Sequence, residues 1–214
     1  MKVGTDAVLL GAWVSNHKPV SILDIGTGCG LIALMLAQRF DSARINAIDI
    51  DENSIQEAAF NFNTSPWAHR LNAQCVALQN WEAAPYDLIV SNPPYFAHSF
   101  PIAQKSRAVA RTQQELDFKT LVVHAKRLLK PEGRLAVVLP ARARTAFEEQ
   151  LTSEKLFCNR ITYVLPSTEK AAVLILVEAS NKVTPLVADS ISIRTATGYH
   201  QDYLALTRDF YLFS

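Results

Sequence analysis

Three glycines at alternate positions stand out in the segment Asp24-Ile25-Gly26-Thr27-Gly28-Cys29-Gly30. An apolar run typical of a buried strand precedes them, and a segment with helical spacing follows. Glycine lets the backbone turn tightly and lets a ligand lie against it, while the next helix offers free amides. The alternative is that these glycines only form the turn between the strand and the helix and bind no ligand. Asp49 favours a cofactor site, because a strand-ending acid about twenty residues later can accept hydrogen bonds from ribose hydroxyls.

Asp24, at the start of this loop, indicates which cofactor fits. The glycine spacing differs from G-x-G-x-x-G, in which the last glycine comes one place later for helix–strand packing. A carboxylate at Asp24 repels the pyrophosphate of a dinucleotide, whereas it attracts a ligand that carries an ammonium and a sulfonium. The loop therefore favours S-adenosylmethionine over NAD.

A second group, Asn92-Pro93-Pro94-Tyr95, directly follows another apolar run. Ligands of open α/β sheets bind outside the carboxyl ends of the strands, so we expect this group beside the glycine loop. Two prolines stiffen an extended backbone and have no N–H donor. The Asn92 side-chain oxygen and the Pro93 carbonyl can then hold both protons of a planar exocyclic amine. Positioning and acceptors of this kind favour methyl transfer to nitrogen without a strong base.

The aromatic residues Tyr95 and Phe96 can stack on a flat substrate. The alternative is that the two prolines only end a strand and that Tyr95 belongs to the core. The position after a cofactor loop, on the fourth strand, favours the catalytic interpretation.

Strands and helices alternate along the chain and must position these groups. The pattern predicts strands over 20–25, 44–50, 74–78, 87–91 and 134–139, and helices over 31–39, 51–63, 118–129 and 143–154. Asp51 is the predicted cap of the second helix, and 131–133 form a predicted turn. Residues 160–165 and 171–177 form a predicted antiparallel pair, and the tail from 190 adds a short strand and a helix over 201–210.

This alternation predicts an α/β fold, a doubly wound and mainly parallel sheet with helices on both faces and an antiparallel strand near the C-terminus. We expect a single domain over residues 1–214.

Composition narrows the functional classes. The formal net charge is +1, so the chain has no basic field for non-specific nucleic-acid binding, and contacts to RNA have to be local. Three unclustered cysteines and five scattered histidines predict neither a disulfide framework nor a metal site. No apolar run approaches the ~20 residues of a membrane span. We therefore expect a cytoplasmic protein without a metal.

Together these residues resemble the class I, Rossmann-like methyltransferases with an Asn-Pro-Pro-Tyr motif. The more specific similarity is to the bacterial enzymes that methylate N6 of adenine 37, just 3′ of the anticodon of a valine tRNA. Nearly the whole chain takes part in it, through residues 1–6, 9–13, 24–30, 79–81, 92–95, 107, 110–111 and 209–213.

The resemblance implies a role for each motif. The implied cofactor contacts are Thr5, Asp6, Asp24, Gly26, Gly28, Gly30 and Asp49, with the first two closing over the methionine end. The implied catalytic motif is Asn92, Pro93, Pro94 and Tyr95; Phe96, Arg107 and Arg111 are expected to face the anticodon loop of tRNA. The alternatives are a helix N-cap for Thr5 and Asp6 and merely solvated loop arginines.

Two features depart from the family. Its members usually have an acid at the end of the third strand that binds the cofactor adenine. This sequence has Val76-Ala77-Leu78-Gln79, so Gln79 or the backbone has to make that bond. Members also usually begin with a further segment before the Met-Lys-Val-Gly stretch, so the natural protein is expected to be longer.

Other functions fit the same motif. A side-chain amide presents the same planar nitrogen, as in the glutamine methyltransferases that act on release factors, and a guanine N2-methyltransferase acting on rRNA is a further candidate. A methyltransferase-like scaffold subunit is the non-enzymatic alternative. An intact Asn-Pro-Pro-Tyr segment argues against it. The sequence leaves the oligomeric state open.

Overall fold

The structure, a computed structural model, describes residues 4–93 and 117–211. The helices of these residues are α1 (Thr5–Trp13), α2 (Leu31–Arg39), α3 (Glu52–Asn63), α4 (Phe118–Leu128), α5 (Arg144–Ser153) and α6 (Gln201–Thr207). The strands are β1 (Ser21–Ile25), β2 (Arg44–Asp49), β3 (Leu71–Cys75), β4 (Tyr86–Ser91), β5 (Leu129–Pro140), β6 (Phe157–Ser167), β7 (Leu174–Ser180) and β8 (Val187–Arg194).

The strands of the described chain form one sheet in the order β3-β2-β1-β4-β5-β7-β6-β8. The first five strands are parallel. β7 lies antiparallel between β5 and β6, and β8 is parallel to β6. The predicted α/β class, with its mainly parallel sheet and late antiparallel strand, is confirmed; the expectation of one domain stays a prediction. The strand order reverses between β1 and β4, which is where open α/β sheets bind their ligands.

Helices cover both faces because alternate strand residues point to opposite sides. Ile22 packs in one core, with residues of α1, α2, α3 and α6. The next residue, Leu23, packs in the other core, with residues of α4 and α5. Asp51 caps α3 as predicted, since its side chain accepts the Ser54 amide at 2.8 Å.

Several predicted elements are wrong in their bounds. The antiparallel pair predicted over 160–165 and 171–177 is present, but its strands are Phe157–Ser167 and Leu174–Ser180. The third strand is Leu71–Cys75 rather than 74–78, because this edge strand is largely exposed and has no apolar run to mark it. The predicted turn at 131–133 lies inside β5, where the pairing jumps from Tyr86–Leu129 to Leu88–Arg134 and the extra residues bulge. The last helix ends at Thr207, three residues before its predicted end at 210.

Candidate functional site

The carboxyl ends of β1, β2 and β4 bring the glycine loop, Asp49 and Asn92 to one edge of the sheet. Ile25, the last residue of β1, pairs with Ile48 on one side and with Ser91 on the other. The buried Ser91 hydroxyl also donates to the Ile25 carbonyl at 2.9 Å. Asn92 therefore begins directly beside the first residue of the glycine loop.

The glycine loop has a conformation that only glycine adopts readily. Gly26, Gly28 and Gly30 have φ angles of +70°, +57° and +84°. A Cβ on Gly26 would have no atom within 4 Å, so the loop leaves open space there. A Cβ on Gly30 would lie 2.4 Å from Cε1 of Phe62. Open space and left-handed backbone are what the close approach of a ligand requires.

The loop is tied to the end of β2. The Gly26 and Thr27 amides donate to the Ile48 carbonyl at 2.8 and 3.1 Å, and the Gly28 amide donates to Asp49 Oδ2 at 2.9 Å. The other oxygen of Asp49 accepts the Asp51 amide at 3.0 Å. These bonds hold the Asp49 carboxylate against the loop, and its remaining lone pairs can accept hydrogen bonds from ribose hydroxyls.

Asp24 lies beneath the loop and is fully buried. Its Oδ2 accepts the Thr27 hydroxyl at 2.6 Å, while its Oδ1 has no hydrogen-bond partner within the described residues. Burial, and least strongly the charge of Asp49, raises the pKa of Asp24 to about 7, although hydrogen bonding from the Thr27 hydroxyl and the Ala33 amide opposes the shift. A buried carboxylate with an unsatisfied oxygen suits a cationic ligand above it, and S-adenosylmethionine carries an ammonium and a sulfonium.

The segment after β3 lies beside this edge. The Val76 amide donates to the Asp49 carbonyl at 2.9 Å, and Gln79 is exposed on the short helical turn Leu78–Asn80. A cofactor role for Gln79 stays a prediction. Ile50, to which our sequence analysis gave no role, directly follows Asp49 and is 51% exposed. An exposed apolar side chain at this position suits contact with the flat ring of a cofactor. Its position directly after the strand-ending acid was the signal in the sequence.

The catalytic motif is described only in part. Asn92 is half-buried and Pro93 is buried at the end of β4. The other predicted substrate-facing residues, Pro94, Tyr95, Phe96, Arg107 and Arg111, lie outside the described residues.

Thr5 and Asp6 form the first turn of α1. The cap of this helix is Gly4, which makes no side-chain cap bond, so neither residue is an N-cap. Both line a cavity of about 410 Å³, together with residues of β8 and α6. Desolvation raises the pKa of Asp6. Their assignment to the methionine end of the cofactor stays a prediction.

Residues 4–93 and 117–211 contain neither a metal-binding cluster nor a membrane-spanning helix. No group of three or more histidine, cysteine, aspartate or glutamate side chains there could hold a metal ion. None of the helices in residues 4–93 and 117–211 is long and apolar enough to cross a membrane.

The sequence is similar to that of known methyltransferases. The methyltransferase small domain family matches residues 3–165. The tRNA1(Val) (adenine(37)-N6)-methyltransferase of Phocaeicola vulgatus is 41% identical over 99% of this chain and 91% of its own length. The enzyme of the same name from Flavobacterium psychrophilum is 42% identical over 99% of this chain and 93% of its own length.

Solved structures agree in fold. A predicted O-methyltransferase from Agrobacterium tumefaciens superposes with a TM-score of 0.73 at 16% identity, covering 95% of this chain and 96% of that one. A putative class I S-adenosylmethionine-dependent methyltransferase from Listeria monocytogenes superposes with a TM-score of 0.60 at 17% identity, covering 86% and 62%. The chain therefore belongs to the methyltransferase small domain family and has the class I fold of enzymes that use S-adenosylmethionine.

Proposed function

We propose that this protein transfers a methyl group from S-adenosylmethionine to N6 of adenine 37 in the anticodon loop of tRNA1(Val). The observation that carries the proposal is the name shared by relatives about 40% identical over 99% of the chain. The convergence of Asn92 with the glycine loop supports it, because this chemistry needs amine acceptors beside the methyl donor.

The residues at the carboxyl edge fit the cofactor. Gly26 and Gly28 leave space for the cofactor, and Asp49 accepts hydrogen bonds from its ribose hydroxyls. The buried carboxylate of Asp24 attracts its cationic methionine end. Ile50 and Gln79 lie on the adenine side. When bound, S-adenosylmethionine supplies an electrophilic methyl group on a sulfonium, which is a good leaving group.

Asn92 and Pro93 prepare the adenine amine. The lone pair of an exocyclic amine is delocalised into the ring, so the amine is a poor nucleophile. The Asn92 side-chain oxygen and the Pro93 carbonyl accept hydrogen bonds from its two N–H groups, which favours a pyramidal nitrogen whose lone pair faces the donor. Ser91 fixes the distance between Asn92 and the loop through its hydrogen bond to Ile25. Acceptors placed where positive charge develops stabilise the transition state.

The RNA contacts are local. A net charge of +1 gives no long-range attraction to the phosphate backbone. We expect Tyr95 and Phe96 to stack on the adenine and Arg107 and Arg111 to contact the loop phosphates. The adenine lies in an unpaired loop, where turning it out of its stack costs least.

The test is a competition between substrate classes. The protein is incubated with S-adenosylmethionine labelled in its methyl group and, separately, with unmodified tRNA1(Val) and with release factor. We expect the label in N6-methyladenosine at position 37 of the tRNA. Label on a glutamine of the release factor, or on guanine N2, would overturn the proposal and leave the methyltransferase family assignment in place.

A further inference from the structure

A second cleft opens at the carboxyl edge, away from the glycine loop. Arg194, the last residue of β8, lines this cavity of about 410 Å³ together with Tyr199, Tyr203 and Tyr211, and we call it the tyrosine cleft. Its volume falls within the roughly 300–1,000 Å³ of ordinary ligand sites.

The tyrosine cleft and Asn92 both lie at the carboxyl ends of parallel strands, but they are several strands apart. Arg194 ends β8, which pairs with β6 and is four positions from β4 in the sheet. Four strand spacings amount to roughly 19 Å. This is about five to six nucleotides at the 3.4 Å rise of a stacked strand. The cleft is therefore too far for the reacting adenine and near enough for another nucleotide of the same loop.

The cleft presents flat, rigid surfaces. Tyr199 is 44% exposed, and its ring stacks on Tyr203 with centroids 5.3 Å apart and an interplanar angle of 22°. Tyr203 is only 3% exposed and is hydrogen-bonded to Tyr211, so it forms a fixed backing. The Arg194 guanidinium lies 4.7 Å from the Tyr199 ring centroid. Aromatic rings and arginine planes are the surfaces on which unpaired bases stack.

The charges favour a neutral base over a phosphate inside the cleft. Asp6, whose side chain is half-buried, contributes a carboxylate to the wall, which repels an anion. Val173 and Leu174 contribute apolar surface to the same wall. Arg194 is exposed, so its charge is available to a phosphate outside the cleft. The base would enter and its phosphate would stay at the surface.

We infer that the tyrosine cleft holds the base of a second unpaired nucleotide of the anticodon loop, stacked at Tyr199, with its phosphate near Arg194. This inference rests on the proposed function and deepens it. The protein then contacts the RNA loop at two places, the target adenine and the second base. A chain with little net charge needs such local contacts for affinity.

The test uses the isolated anticodon stem–loop RNA and three variants. Tyr199→Ala removes the ring and Tyr199→Phe keeps it. Phe157→Ala is the matched control, because Phe157 is also an exposed aromatic residue (36%). It begins β6 and therefore lies at the end of this strand away from the cleft. Stacking of one base predicts that Tyr199→Ala raises the Kd for the RNA about 5- to 150-fold. Tyr199→Phe, Phe157→Ala and the Kd for S-adenosylmethionine stay within about twofold of wild type.

An abasic scan identifies the nucleotide. Each loop nucleotide except the target adenosine is replaced in turn by an abasic one. We expect one position to weaken wild-type binding and to have no further effect in Tyr199→Ala, since the lost contact is the same. If Tyr199→Ala unfolds, as circular dichroism would show, Arg194→Ala provides the same comparison on an exposed side chain.

The outcomes separate the two proposals. Tyr199→Ala that binds the RNA like wild type, or that loses affinity equally for every abasic RNA, overturns the tyrosine cleft. In either case methylation of adenine N6 by the wild-type protein leaves the proposed function standing. A wild-type protein that methylates no adenine in the RNA overturns both.

Discussion

Replacing Asp24 by asparagine tests whether the glycine loop keeps a buried charge for ligand binding at the expense of folding. Asp24 is fully buried, and its Oδ1 is unsatisfied within the described residues. Burial raises its pKa from 3.8 to about 7. Asparagine has the same shape and no charge, so the variant separates the charge from the packing.

The pKa values give the size and sign of the effect. A carboxyl group whose folded-state pKa is raised favours folding below pH 4, and this contribution is lost as the pH rises toward 7. With pKa values of 3.8 unfolded and about 7 folded, the raised pKa destabilises the folded state by about 2 kcal/mol at pH 5 and about 4 kcal/mol at pH 8. The free energy of unfolding of Asp24→Asn, relative to wild type, should therefore rise by about 2–3 kcal/mol between these pH values. The buried amide adds a constant cost of about 1–3 kcal/mol, which cancels in the difference.

The assay is urea unfolding of both proteins at pH 5 and pH 8 without cofactor. Titration calorimetry at pH 8 should in addition show S-adenosylmethionine affinity at least about tenfold lower in Asp24→Asn. Asp87→Asn is the control on the neighbouring strand β4. Burial opposes ionisation of Asp87, but hydrogen bonds from Lys130 and Ser21 lower its pKa, so its variant should show no such pH-dependent gain. An Asp24→Asn difference that is equal at both pH values refutes the reasoning.

Two further substitutions test the loop and its anchor. Gly30→Ala should lower the free energy of unfolding by about 2–4 kcal/mol, since φ is +84° and the new Cβ would meet Phe62. Gly198→Ala, which has open space, is the control, and equal urea midpoints for the two variants would contradict the prediction. Ser91→Ala should lower kcat about tenfold while the cofactor Kd stays within about twofold, because Asn92 shifts relative to the loop. Ser91→Thr should restore kcat; equal losses in kcat and cofactor affinity would mean that Ser91 is only structural.

Elements with strong local signals could be predicted from the sequence. The predicted helix 31–39 has the bounds of α2, because its apolar spacing starts after a glycine in the left-handed conformation. Asp51 was found as a cap because aspartate before a helix satisfies a free amide. The edge strand β3 was misplaced because its exposure removes the apolar run on which such a prediction depends.

The site could be predicted where it follows strand ends, and not where it depends on distant segments. Gly26, Asp49 and Asn92 lie at one edge because parallel strands share their carboxyl ends. The raised pKa of Asp24 depends on burial, which sequence does not give. The tyrosine cleft gathers residues of α1, β8 and α6, which only the sheet order brings together.

In the proposed reaction Asn92 holds the adenine amine beside the cofactor. The direct measurement is cofactor affinity and single-turnover methyl transfer for Asn92→Ala, side by side with wild type. We expect the Kd for S-adenosylmethionine to stay within about threefold, while the transfer rate falls at least about 100-fold. Unchanged transfer, or a loss of cofactor binding that accounts for the whole decrease, would contradict the account.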